Sequence, residues 1–456
     1  MKKSLLFIFF CITFYTNAQL ILDGVTQSFW TKTAIKDPYN EPYDSNTVYH
    51  RRHGFYQIVK NPLNCSEVLI NPLIILDGYD PGDKRNIEGI KYIVNNRGKE
   101  DNITRLQEMG FDLIFLNFNE YSVGLYDYYW WWLFEDITRD GGSDFVMNNA
   151  EVLRELITRI NTHNRKKMTP HQHDHPSKKL KIKIIGPSMG GLIARIALRK
   201  MELNSEDHNV GLFVSFDSPH LGASVPLGIQ KFFTNESPSY GLAKHFVPMF
   251  EYLTNIFDTP AAKQMLIRHL GEDSKSYRTN FNEQLKEYSL PLESRNIALI
   301  NGSLSGKPNK LEDDLNKKLI DFKLELAWNP FSWITSSKFN FFNLKMESFE
   351  DTGDHVFKRS ENFMVGTKTT YQTYLTKTKF KEEESLDYVA GSYMDWKSEL
   401  KDLMKHEIPF PFNKKEITFT QKDNDRHYDY WEGLMQGILR ESIFADWPMD
   451  YWNYLL

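Results

Sequence analysis

The sequence predicts an α/β fold in which a mostly parallel sheet is covered by helices on both faces. Three observations predict it. Short aliphatic runs such as Val68 to Leu76, Asp112 to Phe118 and Val210 to Phe216 recur with helical segments between them, the pattern of strands buried on both sides. The segment from about Phe145 to Asn161 places Leu153, Leu156, Ile157 and Ile160 at i, i+3, i+4 and i+7, one apolar stripe that can lie on a sheet. Finally, the strand-like run Lys181-Ile182-Lys183-Ile184-Ile185 leads straight into Gly186-Pro187-Ser188-Met189-Gly190. A helical pattern with Leu192, Ile193, Ile196 and Ala197 on one face follows at once.

With 41% hydrophobic and 25% charged residues in 456, the chain has ordinary globular usage and can bury a sizeable core. One large domain with insertions is expected. A net charge of -5 gives no electrostatic footprint for DNA or RNA, so nucleic acid is not an expected partner. Lys2 and Lys3, an apolar run from Leu5 to Tyr15, and Thr16-Asn17-Ala18 read as a signal peptide over residues 1–18, cut after Ala18. That run is too short to cross a bilayer. The expected mature chain, 19–456, is therefore secreted, periplasmic or at the cell surface. Cys11 leaves with the leader, so Cys65 stands alone and reads as a buried, inert thiol.

In chain order, strand 3 is Val68 to Leu76, strand 4 Asp112 to Phe118, strand 5 Leu180 to Ile185, strand 6 Val210 to Phe216, strand 7 Asn296 to Ile300 and strand 8 Glu416 to Thr420. The helix after strand 5 spans Gly190 to Met201, and a closing helix holds Trp431, Leu434, Ile438 and Leu439. Residues 224–290 are polar, aromatic and irregularly helical, and read as a lid. Residues 310–384, where Phe342, Leu344 and Met346 alternate, read as a β-rich insertion.

A serine hydroxyl becomes a nucleophile when it projects from a sharp strand-to-helix turn toward a base. Ser188 meets that requirement on both sides. The first oxyanion donor is then the N–H of the next residue, Met189, and the second comes from the loop after strand 3, where Gly78 and Tyr79 are both candidates. The order of such sites is Ser, then acid, then His. His427, just past strand 8 at the carboxyl end where such sites form, is the expected base, whereas His406 precedes that strand. Strand 7 ends in Asn301-Gly302-Ser303-Leu304-Ser305-Gly306, which holds no carboxylate. Asp217, at the end of strand 6, is therefore the expected acid, with Asp387, Asp354 and Asp313 as alternatives. His220 reads as a support for its own turn. His171, His173 and His175 with Asp174 enter strand 5 at its amino end, away from the site, and read as a solvated loop. Trp130, Trp131 and Trp132 follow strand 4 on the active side and could line an apolar substrate pocket.

The Gly186-Pro187-Ser188-Met189-Gly190-Gly191 elbow and the Ser218-Pro219-His220-Leu221-Gly222-Ala223 turn resemble the lipase-type α/β-hydrolases related to GPI inositol-deacylase. The resemblance is nearest to exported hydrolases of Bacteroidetes-like bacteria, whose Glu-Gly-Phe-Asp-Pro loop is matched by Asp77-Gly78-Tyr79-Asp80-Pro81 and whose Asp before the Pro-His turn is matched by Asp217. It covers about residues 68 to 303 and implies ester or amide cleavage. The expected reaction is hydrolysis of a lipid or other hydrophobic ester through an acyl-enzyme on Ser188, without metal or organic cofactor. Alternatives are an esterase of acylated polysaccharide and a catalytically silent hydrolase fold that binds glycan or lipid. The expected partners are a small-molecule or lipid ester and, transiently, a membrane surface.

Overall fold

In this computed structural model the described residues are 20, 24–32, 35–36, 49–96, 98–123, 137–168, 180–223, 225, 227–233, 256–270, 274–299, 318–328, 339–349, 355–363, 367–374 and 414–419. The chain divides into two compact units. The first comprises Met1–His220, Glu283–Ile300 and Glu441–Leu456, and the second Leu221–Asn282 and Asn301–Arg440.

The first unit is built on a seven-stranded sheet of β1 (Gln27–Trp30), β2 (His53–Val59), β3 (Leu73–Leu76), β4 (Leu113–Asn117), β5 (Ile182–Pro187), β6 (Val210–Phe216) and β7 (Arg295–Leu299). Their spatial order is β1-β2-β4-β3-β5-β6-β7. β2 runs antiparallel to both of its neighbours, and the strands from β4 to β7 are parallel. With a serine turn between β5 and the following helix, this is the α/β-hydrolase fold.

Alternation along the strands sorts the core into two layers. Leu73 and Ile75 of β3, with Leu113, Phe115, Ile185 and Val214, pack against helices α1 (Ile87–Val94) and α2 (Asn102–Glu108) through Ile87, Ile90, Ile93, Val94 and Leu106. Each such side chain contributes about 1.5–3 kcal/mol when fully buried. Both helices are capped by side chains: Asn86 accepts from the Gly89 N–H and Asp101 from the Thr104 N–H, satisfying donors that the helix itself leaves open. Helices α3 (Val146–Lys167) and α4 (Met189–Leu203) belong to the other layer. There a β-carbon on Gly190 of α4 would stand 3.2 Å from Leu76 Cβ.

Several boundaries move from their expected positions. β3 begins at Leu73 rather than Val68, because Asn71 at φ 47° and Pro72 interrupt extended pairing. The stretch before it is a loop organised by Asp112, whose carboxylate accepts from the N–H of Asn61, the N–H of Ile70 and the Asn64 side chain. Cys65 lies in this loop and is exposed, not buried. α3 continues past Asn161 to Lys167 after its apolar stripe has ended. Its extra turns are anchored by polar side chains: Asn164 accepts from the Leu69 N–H at 2.9 Å, and His163 Nε2 bonds the Glu67 carbonyl at 2.8 Å. Hydrophobic periodicity does not register such contacts.

The second unit carries α5 (Leu227–Phe233), α6 (Pro260–Met265) and an antiparallel sheet. The strands are β8 (Lys318–Trp328), β9 (Phe339–Phe349), β10 (His355–Phe363), β11 (Thr367–Tyr374) and β12 (Lys414–Phe419), in the order β11-β10-β9-β8-β12. Phe232 of α5 meets Phe322 and Phe357 edge-on at 6.2 and 6.3 Å between ring centres. A further helix, α7 (Ser274–Glu287), spans the boundary between the units. One expectation is overturned here. The strand expected to close the hydrolase sheet as its eighth member pairs antiparallel with β8, Ile417 opposite Phe322. A short alternating strand fits the edge of either sheet, and its own pattern does not name its neighbour.

The approach of β5 to α4 depends on Gly186, where a β-carbon would stand 2.5 Å from the Gly190 carbonyl oxygen. Gly186→Ala is expected to cost about 2 kcal/mol or more of stability, read as a lower urea midpoint at unchanged m. An unchanged midpoint would show that this approach is not tight.

Candidate active site

β5 ends at Pro187 and α4 begins at Met189, so the chain turns at Ser188 alone. Its backbone lies at φ 48° and ψ −122°, a region costing on the order of 1–3 kcal/mol for a residue with a side chain. Neighbouring backbone holds it there. The Ser188 N–H donates to the Phe216 carbonyl at 2.8 Å, and the Ser188 carbonyl accepts from the Gly191 N–H at 3.1 Å. Glycines let three segments converge on the turn. A β-carbon at Gly190 would stand 2.8 Å from the Asp77 carbonyl oxygen, and one at Gly191 would run into the Ser218 hydroxyl. The serine is thus held at the carboxyl edge of the sheet beside the loop that follows β3.

Met189 is the first residue of α4 and is buried. A helix's first N–H groups have no acceptor within the helix, and the positive end of its dipole favours developing negative charge. Across the turn lie Gly78 and Tyr79, both buried. The Gly78 N–H donates to Asp77 Oδ1 at 2.8 Å, while the Tyr79 carbonyl accepts from Arg85 at 2.7 Å. Of the two candidate donors, that of Gly78 is therefore already engaged.

Asp217 follows Phe216, whose partner across the sheet is Pro187, so Ser188 and Asp217 leave adjacent strands next to each other. Asp217 has φ 41° and donates its N–H to the Leu299 carbonyl of β7 at 2.7 Å. Two non-glycine residues at positive φ thus sit at the carboxyl ends of neighbouring strands. His220 is engaged elsewhere. Its Nδ1 accepts from Arg195 at 3.5 Å and its Nε2 lies 2.7 Å from Ser215 Oγ, while Arg195 also donates to the carbonyls of Tyr288 and Leu285. Burial, with a lesser push from Arg195, lowers the His220 pKa to about 4. It is a neutral part of the turn's framework at pH 7.

The other residues singled out in the sequence, His427, His406, Asp387, Asp354, Asp313, Trp130, Trp131, Trp132 and the His171, His173, His175 and Asp174 tract, lie outside the described residues. Among the described residues there is no group of three or more metal-capable side chains, and no helix is long and apolar enough to cross a membrane. Arg85 belongs to no recognisable motif. It is buried with Asp77 and Asp80 beneath the loop after β3, and the signal for it is a basic residue shortly after three aspartates in a Gly/Pro loop.

Residues 140–280 match a family described as "Putative serine esterase (DUF676)". No curated protein matches the sequence. Among solved structures, the chain is similar to the mature lipase BlEst2 of Bacillus licheniformis, at 10% identity over 53% of this chain and 70% of that one, with a TM-score of 0.28. It is also similar to a variant of the rice cell wall degrading esterase LipA from Xanthomonas oryzae, at 11% identity over 57% and 72%, with a TM-score of 0.31. A third is the thermophilic carboxylesterase EstE1 cloned from a metagenomic library, at 13% over 62% and 83%, with a TM-score of 0.26. The sheet order, the serine elbow and the family match together make the chain a serine esterase-like hydrolase.

Two consequences can be measured. If the turn is strained, Ser188→Gly should be about 1 kcal/mol more stable in urea than Ser188→Ala, since only glycine relaxes at positive φ; equal stabilities would show an unstrained turn. The depressed His220 pKa favours the neutral ring in the folded state, so its stabilising contribution is present above about pH 6.5 and is lost as pH falls through about 4. His220→Gln should therefore be less stable than wild type at pH 7.5, and the gap should close toward pH 4. A gap independent of pH would place the ring in water.

Proposed function

We propose that the protein is an exported serine hydrolase that cleaves a hydrophobic carboxylic ester, such as a lipid ester, through an acyl-enzyme on Ser188. The observation that carries this reading is Ser188 itself, held at positive φ between β5 and α4. Ser188 Oγ attacks the ester carbonyl and His427, assigned on chain order alone because the strand before it joins the antiparallel sheet, takes its proton. The tetrahedral oxyanion forms beside the Met189 N–H at the start of α4 and a second N–H from the loop after β3. On collapse, His427 returns the proton to the leaving alcohol. Water then attacks the acyl-enzyme by the same route. Asp217 is the orienting acid, supported by its place beside Ser188 at the end of β6.

The finer assignments rest on sequence. Export rests on the leader ending at Ala18. The likeness to GPI inositol-deacylase and exported bacterial hydrolases rests on the elbow, the Asp77–Pro81 loop and the Ser218–Ala223 turn. The hydrophobic substrate rests on the Trp130–Trp132 run and the helical segment 224–290, read as a lid within a single hydrolase domain. A lid and an apolar ester both fit transient contact with a membrane surface.

Ser188→Ala is expected to lower p-nitrophenyl ester turnover on the order of 10⁴-fold or more while the protein stays folded. A fluorophosphonate probe should label wild type and not this variant. Equal turnover or equal labelling would reject the mechanism. Preference for acetylated sugars over longer acyl chains would move the substrate to polysaccharide esters.

A further inference from the structure

Ser218 stands one residue after the proposed acid, and its hydroxyl lies among the segments that close around the nucleophile. Its Oγ shares one hydrogen between the Gly186 carbonyl at 3.3 Å and the Phe216 carbonyl at 3.2 Å. The first of these belongs to β5, two residues before Ser188, and the second already accepts the Ser188 N–H at 2.8 Å. A third contact is steric. A β-carbon on Gly191 would run into Ser218 Oγ and stand 2.8 Å from its β-carbon, and Gly191 is the residue whose N–H donates to the Ser188 carbonyl at 3.1 Å. One small side chain thus touches the strand before the nucleophile, the strand beside it and the helix after it.

The backbone on both sides of this side chain is fixed as well. The Ser218 carbonyl accepts from the His220 N–H at 2.8 Å, and the Asp217 N–H donates to the Leu299 carbonyl of β7 at 2.7 Å. Asp217 itself lies at φ 41°, a positive value that few residues with a side chain adopt. Its direction then depends on what holds the residues before and after it. Before it, Phe216 pairs with Pro187 in the sheet. After it, the fixture is Ser218. A larger side chain there would not fit against Gly191, and one without a hydroxyl would take this donor from the Gly186 carbonyl.

We infer that Ser218 is a positioning residue for the proposed acid: seated against Gly191, with its hydroxyl between the Gly186 and Phe216 carbonyls, it fixes the turn that carries Asp217 in register with the elbow that carries Ser188. The inference rests on the reading of Asp217 as the orienting acid. A carboxylate beside an imidazole favours the charged ring and raises its pKa. An Asp217 whose direction is no longer fixed therefore leaves the base poorly oriented and lowers its pKa. Poor orientation lowers kcat. Because the base must be unprotonated to accept the serine proton, a lower pKa moves the acid limb of kcat/KM to lower pH.

The test uses Ser218→Ala in the full chain with a p-nitrophenyl ester. The value of kcat per burst-titrated site should fall on the order of 10-fold, with KM changed by less than about 2-fold. The acid limb of kcat/KM should move down by about 0.5 to 1 pH unit. A role in packing alone would lower the number of titratable sites or the urea midpoint and leave kcat per site and the limb in place. That result overturns the inference, and so does a fallen kcat with an unmoved limb. The Phe216 carbonyl keeps the Ser188 N–H when the hydroxyl is removed, so the variant is expected to fold. Should it not, Ser218→Cys, a weaker donor of similar shape, is read against the same outcomes. Asp217→Asn is the control and should lose kcat on the order of 10³-fold or more. Full activity in that control removes the acid assignment and the inference with it, whereas a silent Ser218→Ala beside an inactive Asp217→Asn removes the inference alone. Wild-type Ser188 that no fluorophosphonate labels removes the serine-hydrolase reading itself.

Discussion

The close approach of β5, α4 and the β3 loop around Ser188 is the constraint on which the rest of the first unit depends. A serine at positive φ is stable only if its surroundings leave it no alternative. Here that confinement comes from backbone rather than side chains. Gly186, Gly190 and Gly191 each occupy a point where a β-carbon would strike a carbonyl or hydroxyl, and the Ser188 N–H is tied across the sheet to Phe216. The two-layer core of aliphatic side chains serves this purpose too, since it fixes where β5 ends and α4 starts.

Charge plays a second, different part. A buried guanidinium with two carboxylates is a poor route to stability, because desolvation of the ions offsets most of their attraction. Breaking such a group is nonetheless strongly destabilising, which makes it an effective pin for geometry. The Asp77–Arg85–Asp80 cluster sits under the loop that follows β3. His220 shows the same economy in neutral form: its ring is uncharged and bridges Ser215 and Arg195. The turn after β6 therefore has a frame that does not titrate near neutral pH.

Much of this site was legible in the residues. The elbow announced itself because a strand pattern, a Gly-flanked serine and a helix pattern follow one another without a gap, and each is a local property. Strand 6 lies at its expected bounds for the same reason: Val210 to Phe216 is an apolar run broken only by Ser215. Where polar contacts set the boundaries, the pattern misled. Val68 to Ile70 read as strand but are captured by Asp112 and Asn164, and α3 outlasts its apolar stripe on the strength of Asn and His bonds to distant backbone.

By itself the sequence determined the strand-to-helix turn at Ser188, the layered parallel sheet and the Gly/Pro/Asp turn after β3, because turn chemistry and hydrophobic period are written within a few residues of each other. Only the tertiary structure decided which sheet the Lys414–Phe419 strand joins, that Cys65 is exposed, and that Arg85 reaches both Asp77 and the Tyr79 carbonyl. Those are choices of partner between segments, and a strand edge, a lone thiol or a charged side chain carries no local mark of the partner it will meet.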